Sequence, residues 1–141
     1  MANSLLFSFG LCLLLGLGIG TARAQDARFN SPGVQFESTT FNFGNLRQGD
    51  VAEHTFTFRN TGDRPLEIRN VRASCGCTVP EWTRELIPPG GTGRIEARFN
   101  SAGKTGHQHK TLTVETNIEG EPYLQLVLQG DVIVSPAVVG N

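Results

Sequence analysis

The chain has 141 residues and a formal net charge of −1, with Lys/Arg and Asp/Glu scattered along it rather than gathered in blocks. One domain is the natural expectation at that length. There is no basic stripe to pair with phosphates, so no nucleic acid is expected as a partner, and the charge balance offers nothing to an anionic membrane surface.

The first segment differs from the rest. Leu5 to Ile19 is dominated by Leu, Phe and Gly, and it leads to Thr21-Ala22-Arg23-Ala24, a small-x-small arrangement of the kind signal peptidase accepts. Residues 1–24 read as a secretory signal peptide, although Met1 to Ser4 holds no Lys or Arg. The apolar run falls short of the ~20 residues a membrane span needs. No stable membrane insertion is expected after cleavage, and the location implied is periplasmic or secreted. Cys12 follows Leu11 and precedes Leu13, in the middle of the run, which argues against lipidation. The remaining residues, 25–141, suffice for one real core. They keep only Cys75 and Cys77, and in an oxidising compartment that pair is not assumed to be reduced.

Residues 25–34 are polar and include Asn30-Ser31-Pro32-Gly33, a flexible lead-in. Short alternating segments follow, separated by Gly, Pro, Asn and Asp, as strands joined by turns require. Phe36, then Phe41, Phe43 and Leu46, mark the first strand or pair of strands. Val51 to Asn60 is the clearest strand: Ala52, His54, Phe56 and Phe58 point one way, and Glu53, Thr55, Thr57 and Arg59 the other. A turn over Thr61–Pro65 leads to Leu66, Ile68 and Val71, whose change of spacing predicts a bulge before Val71. After Ser74-Cys75-Gly76-Cys77-Thr78, Val79 starts a short strand, and Pro80 to Leu86 is expected to be irregular. Pro88-Pro89-Gly90-Gly91 is a breaker. Ile95, Ala97 and Phe99 form the next inward row, then Leu112 and Val114 after a loop at Asn100–Gly106, then Leu124, Leu126 and Leu128, with Val132 to Val134 extending the last strand past Gly130. About seven strands and no helical periodicity predict an all-β immunoglobulin-like sandwich over 35–135 with a tail at 136–141. A barrel would produce the same pattern.

Several segments together carry a resemblance. They are Phe41-Asn42-Phe43-Gly44, Gly49, His54 to Gly62, Leu66-Glu67-Ile68, Ala73 to Thr78, Ile87-Pro88-Pro89-Gly90 and Phe99-Asn100. The chain resembles the bacterial exported family catalogued as domain of unknown function DUF1573, related to the Hydin-type and major-sperm-protein-like branch of immunoglobulin-like domains. The likeness runs from about Phe36 to Val132. It implies a seven-stranded sandwich and export, with no established activity.

The residues themselves offer one chemical feature, Cys75-Gly76-Cys77. A glycine between the two can adopt positive φ and let both sulfurs face one point. Three outcomes stay open: a passive loop or local lock, a two-thiolate claw for Cu or Zn, and a small, reducible disulfide suited to exchange. His107 and His109 lie on one face of an extended segment. If one strand crosses back between Thr78 and Gly91, they arrive at the same end of the sandwich as the cysteines, and Cys75, Cys77, His107 and His109 could then make a tetrahedral site. Met1 is the only methionine, so a thioether copper carrier is excluded. His54 reads as a core or edge histidine. Trp82 either shields the cysteine loop or forms an exposed sticky spot. No Gly-x-Ser-x-Gly elbow, phosphate-cradling loop or His-Glu-x-x-His is present, so no enzyme is expected. The expectation is a binding or scaffolding module with a protein partner in the cell envelope and no cofactor; the alternative is the metal or thiol-redox module at the cysteines.

Overall fold

Alternation along each strand decides which side chains meet. The computed structural model describes Asn30–Ser31 and residues 33–135. The signal peptide expected at residues 1–24, the start of the lead-in and the tail at 136–141 lie outside the described residues. Among the described residues there are nine strands and no helix. They are β1 (Asn30–Ser31), β2 (Val34–Phe36), β3 (Thr40–Arg47), β4 (Val51–Asn60), β5 (Ile68–Ala73), β6 (Thr78–Trp82), β7 (Thr92–Asn100), β8 (Gly106–Thr116) and β9 (Tyr123–Ile133). One sheet has the order β1-β2-β4-β7-β6 and the other β3-β9-β8-β5. Two open sheets face to face make a sandwich and not a barrel.

The inward rows are those read from the sequence. Phe56 and Phe58 of β4, Ile95 and Phe99 of β7, Leu112 and Val114 of β8, and Leu126 and Leu128 of β9 are all essentially inaccessible. Burying each large apolar side chain stabilises the fold by about 1.5–3 kcal/mol. The lead-in departs from expectation at its end: Asn30 and Ser31 pair with Gln35 and Val34. Val34 is buried against the core.

The first pair of strands belongs to different sheets. β2 pairs antiparallel with the end of β4, whereas β3 crosses over and pairs with β9 in parallel. The expected bulge is present, as a register shift between Ile68 and Asn70 where β5 meets β8. Ile68 and Val71 both remain buried because of it.

The segment after Val79 corrects the sequence reading. Pro80 to Trp82 is not irregular; it continues β6 along the edge of the first sheet. Asn100 donates to the Cys77 carbonyl and Thr83 to the Arg94 carbonyl. By parity, 77, 79, 81 and 83 turn their backbone groups toward β7, and Pro80 turns its nitrogen outward. A proline is tolerated there, since no ladder bond is lost, and it removes a donor from an otherwise exposed edge. Trp82 is partly buried against the core. Its indole N–H donates to the Ile68 carbonyl at 3.2 Å, and the Arg84 guanidinium lies 3.6 Å above its ring. It ties β6 to β5 rather than shielding the cysteines or standing free.

The turn after β4 is built on Asn60, which is buried. Its amide nitrogen donates to the carbonyls of Arg64 (2.7 Å) and Ile87 (2.9 Å), and its side-chain oxygen accepts from the Gly62 N–H at 2.9 Å.

Candidate functional site

Because β6 crosses back between the cysteines and β7, the turn holding Cys75 and Cys77 and the loop between β7 and β8 share one end of the sandwich. The two cysteines are joined in a disulfide across one residue, with Cα atoms 5.3 Å apart. Both ends of the turn are fixed to strands. Ser74 donates its N–H to the Thr111 carbonyl, and its hydroxyl accepts from the Thr111 N–H at 3.1 Å. On the far side, Thr78 donates to the Cys75 carbonyl and Asn100 to the Cys77 carbonyl. The hydroxyl of buried Thr78 lies 3.8 Å from the Cys75 sulfur. Gly76 is not among the positive-φ glycines. A Cβ there would meet open space, with no neighbour within 4 Å.

Cys77 and Gly76 line an open groove of about 740 Å³ on the outer face of the first sheet. Its floor comes from three adjacent strands: Val51, Glu53 and Thr55 of β4, Glu96, Arg98 and Asn100 of β7, and Val79 and Glu81 of β6. Val51 and Val79 are 43% and 58% exposed, two apolar side chains on a charged surface. Arg98 pairs with Glu53 at 2.9 Å and Arg94 with Glu96 at 2.8 Å, both well exposed. Such pairs contribute at most about 1 kcal/mol and mainly pattern the surface. Lys104 contributes the groove's end.

The four-ligand arrangement expected of Cys75, Cys77, His107 and His109 is not formed. The topological condition for it holds, but the sidedness of β8 does not. Gln108 is buried between the sheets, so His107 and His109 point out from the second sheet and are exposed. His107 faces Asp131 at 3.5 Å. The cysteine sulfurs are committed to each other, and among the described residues no three of His, Cys, Asp and Glu gather closely enough for a metal ion.

His54 is a packed histidine, as its place in the inward row implies. Its ring stacks on Phe41 of β3 with centroids 4.1 Å apart and meets Phe56 edge-on at 4.6 Å. Burial pushes its pKa below the ordinary 6.5. A folded pKa below the unfolded one means that the unfolded state binds the proton more readily. The stabilisation is complete above about pH 6.5 and is lost as pH falls through the folded pKa. Urea denaturation at pH 7.5 and pH 5 should show a smaller loss of stability in His54→Gln than in the unaltered protein; an equal loss would remove His54 from the account.

Sequence reasoning singled out Cys75 and Cys77 but missed the residues around them. Val51 and Val79 sit on the polar faces of their strands, and that break in alternation was the available signal. Lys104 gave none, since only the tertiary fold brings it to the cysteines, whereas Thr78 follows Cys77 directly in the sequence.

The fold has relatives at low identity. A Porphyromonas gingivalis W83 protein of unknown function superposes with a TM-score of 0.60 at 16% identity, over 76% of this chain and 51% of its own. The chain thus spans about half the length of that protein. The PapD-like domain 7 of human CEP192 gives 0.61 at 15% identity, covering 75% of this chain and 89% of that domain. The secreted serine protease VesC of Vibrio cholerae gives 0.56 at 15%, over 71% of this chain but 23% of the protease. No curated protein matches. These likenesses establish an immunoglobulin-like, PapD-like sandwich and nothing about activity. The family is settled by sequence: residues 34–132 match the model for "Protein of unknown function (DUF1573)", and the chain belongs to that family.

Proposed function

We propose that this domain is a non-catalytic binding module that works outside the cytoplasm and holds an extended segment of a cell-envelope protein in the groove over β4, β7 and β6. The observation that carries this reading is the pair of exposed valines, Val51 and Val79, set among Glu53, Glu81, Glu96, Arg98 and Lys104 on one open concave face. The valines flank Arg98 and Asn100 of the middle strand, β7, and exposed apolar side chains interleaved with charged ones suit a protein-recognition surface. Adjacent strands present their side chains there in rows, which suits an extended partner laid across them. The likeness to PapD-like domains supports a binding role by analogy only. No cofactor is assigned. Nothing in the geometry favours Cu or Zn, since the two sulfurs are bonded to each other and the two imidazoles face another way.

The test is site-specific photo-crosslinking in cells. A photoreactive phenylalanine in place of Val79 is expected to give one discrete adduct, while the same group in place of Gln125, exposed on the opposite sheet, gives none. The adduct should disappear when Val51→Asp is added. No adduct at 79, or equal adducts at both positions, would overturn the reading.

A further inference from the structure

A disulfide that spans one residue is a poor staple. The stabilisation a cross-link brings through the unfolded chain grows with the length of the loop it closes, and this loop holds a single residue between the cysteines. The core does not depend on it: 17 apolar residues are buried, neither cysteine is one of them, and Cys77 is only partly buried against them. The turn is also held independently, by the bonds of Ser74 with Thr111, of Thr78 with Cys75 and of Asn100 with Cys77. The backbone of the turn is therefore held by bonds that survive opening of the disulfide.

We infer that Cys75–Cys77 is an exchange site for thiols, with Cys77 the sulfur attacked and Cys75 the sulfur that leaves. Access decides the first assignment. Cys77 lines the open groove and Cys75 does not, while the open space at Gly76 adjoins both. The second assignment follows from the Thr78 hydroxyl, 3.8 Å from the Cys75 sulfur, which can donate a hydrogen bond to a departing thiolate. The attacking thiolate enters a groove that carries Arg98 and Lys104 beside Glu53, Glu81 and Glu96.

The chemistry balances with a thiol as the only co-reactant. A thiolate attacks the Cys77 sulfur, a new S–S bond forms to it, the Cys75–Cys77 bond breaks, and the electron pair passes to Cys75 as thiolate. A second thiolate attacks the outer sulfur of that mixed disulfide and releases Cys77. Two thiols become one disulfide, and the protein gains a dithiol protonated from water. The site takes small-molecule thiols or a cysteine presented by a protein; it does not depend on the partner reading above, because free glutathione suffices to test it.

The protein, purified without reductant, is incubated with reduced glutathione under native conditions, quenched by alkylation and weighed by mass spectrometry. Reduction is expected while the protein stays folded, with a shift in Tm of no more than a few degrees. Resistance to glutathione until urea unfolds the chain would overturn the inference. The assignments are read from single variants. Cys75→Ser, which leaves Cys77, should react with oxidised glutathione about tenfold faster than Cys77→Ser, which leaves Cys75; equal rates or the reverse order would overturn the roles. Thr78→Val should slow reduction of the disulfide about tenfold and Thr78→Ser should restore it, whereas a merely structural Thr78 would leave the rate of Thr78→Val unchanged in folded protein. If Thr78→Val does not fold, the two single-cysteine variants still decide the matter.

Discussion

Replacing Asn60 with alanine should destabilise the domain by about 3 kcal/mol, more than any surface change. The side chain is 1% exposed and makes three hydrogen bonds. Two of its partners, the Arg64 and Ile87 carbonyls, belong to segments that the reciprocal backbone pair of Leu66 and Ile87 also joins. Removing the amide takes the donor to the Arg64 carbonyl and one of two donors to the Ile87 carbonyl, which keeps the Leu66 N–H, and an unsatisfied buried group costs about 1–3 kcal/mol. The Gly62 N–H loses its acceptor as well. Asn60→Asp should fare no better, since it keeps the acceptor but brings a charge where two donors are needed. Urea denaturation measures both: the midpoint should fall with the slope unchanged. A loss below about 1 kcal/mol in Asn60→Ala would mean that water takes over the amide's bonds.

Gly93→Ala should cost as much by the opposite route. Gly93 of β7 is buried beneath Phe58 and Ile87. A methyl group there would come within 2.7 Å of Ile87 Cδ1 and 2.9 Å of Phe58 Cε2, and closer still to Phe58 Cζ. Neither ring nor isoleucine can move aside, because Phe58 is 1% and Ile87 2% exposed. Overpacking of this kind costs typically 1–3 kcal/mol, and this contact lies at the upper end. Shortening the opposing side chain supplies the check. Phe58→Leu alone is destabilising, but combined with Gly93→Ala the two losses should sum to less than their separate values by 1 kcal/mol or more, read as a coupling energy. Strict additivity would show that the methyl group meets something other than Phe58.

The sequence was most readable where one face of a strand is wet and the other dry. Val51–Asn60, Ile95–Phe99 and Leu124–Leu128 announce themselves by alternation because each lies in a sheet with one solvated face. The bulge near Arg69 was legible for the same reason, as a change of spacing. Other features depend on partners far away in the chain. Pro80 looks like a breaker until its strand proves to be an edge. Parallel pairing of β3 with β9 leaves no local mark. The histidines illustrate a subtler limit: their common face follows from their spacing, and their end of the sandwich was posed only as a condition on the strand count, but which face is inward on β8 depends on Gln108, a polar residue that alternation would not choose for the interior. The cysteines were found by type and spacing, and their bonding state lay beyond periodicity.

The parallel pairing has a consequence for the order in which the molecule can assemble. β9, the last of the described strands, lies inside its sheet, between β3 and β8. Until it arrives, β3 has no strand neighbour in its sheet, and the row of Leu126, Leu128 and Val132 is missing from the core. No early half of the chain can therefore close the second layer, and the rate of folding is tied to a contact between the two ends of the domain, which places it among slow, non-local folders. A chain that waits this long with open edges is at risk from its own copies. The proline on β6 guards one edge of the first sheet throughout that interval.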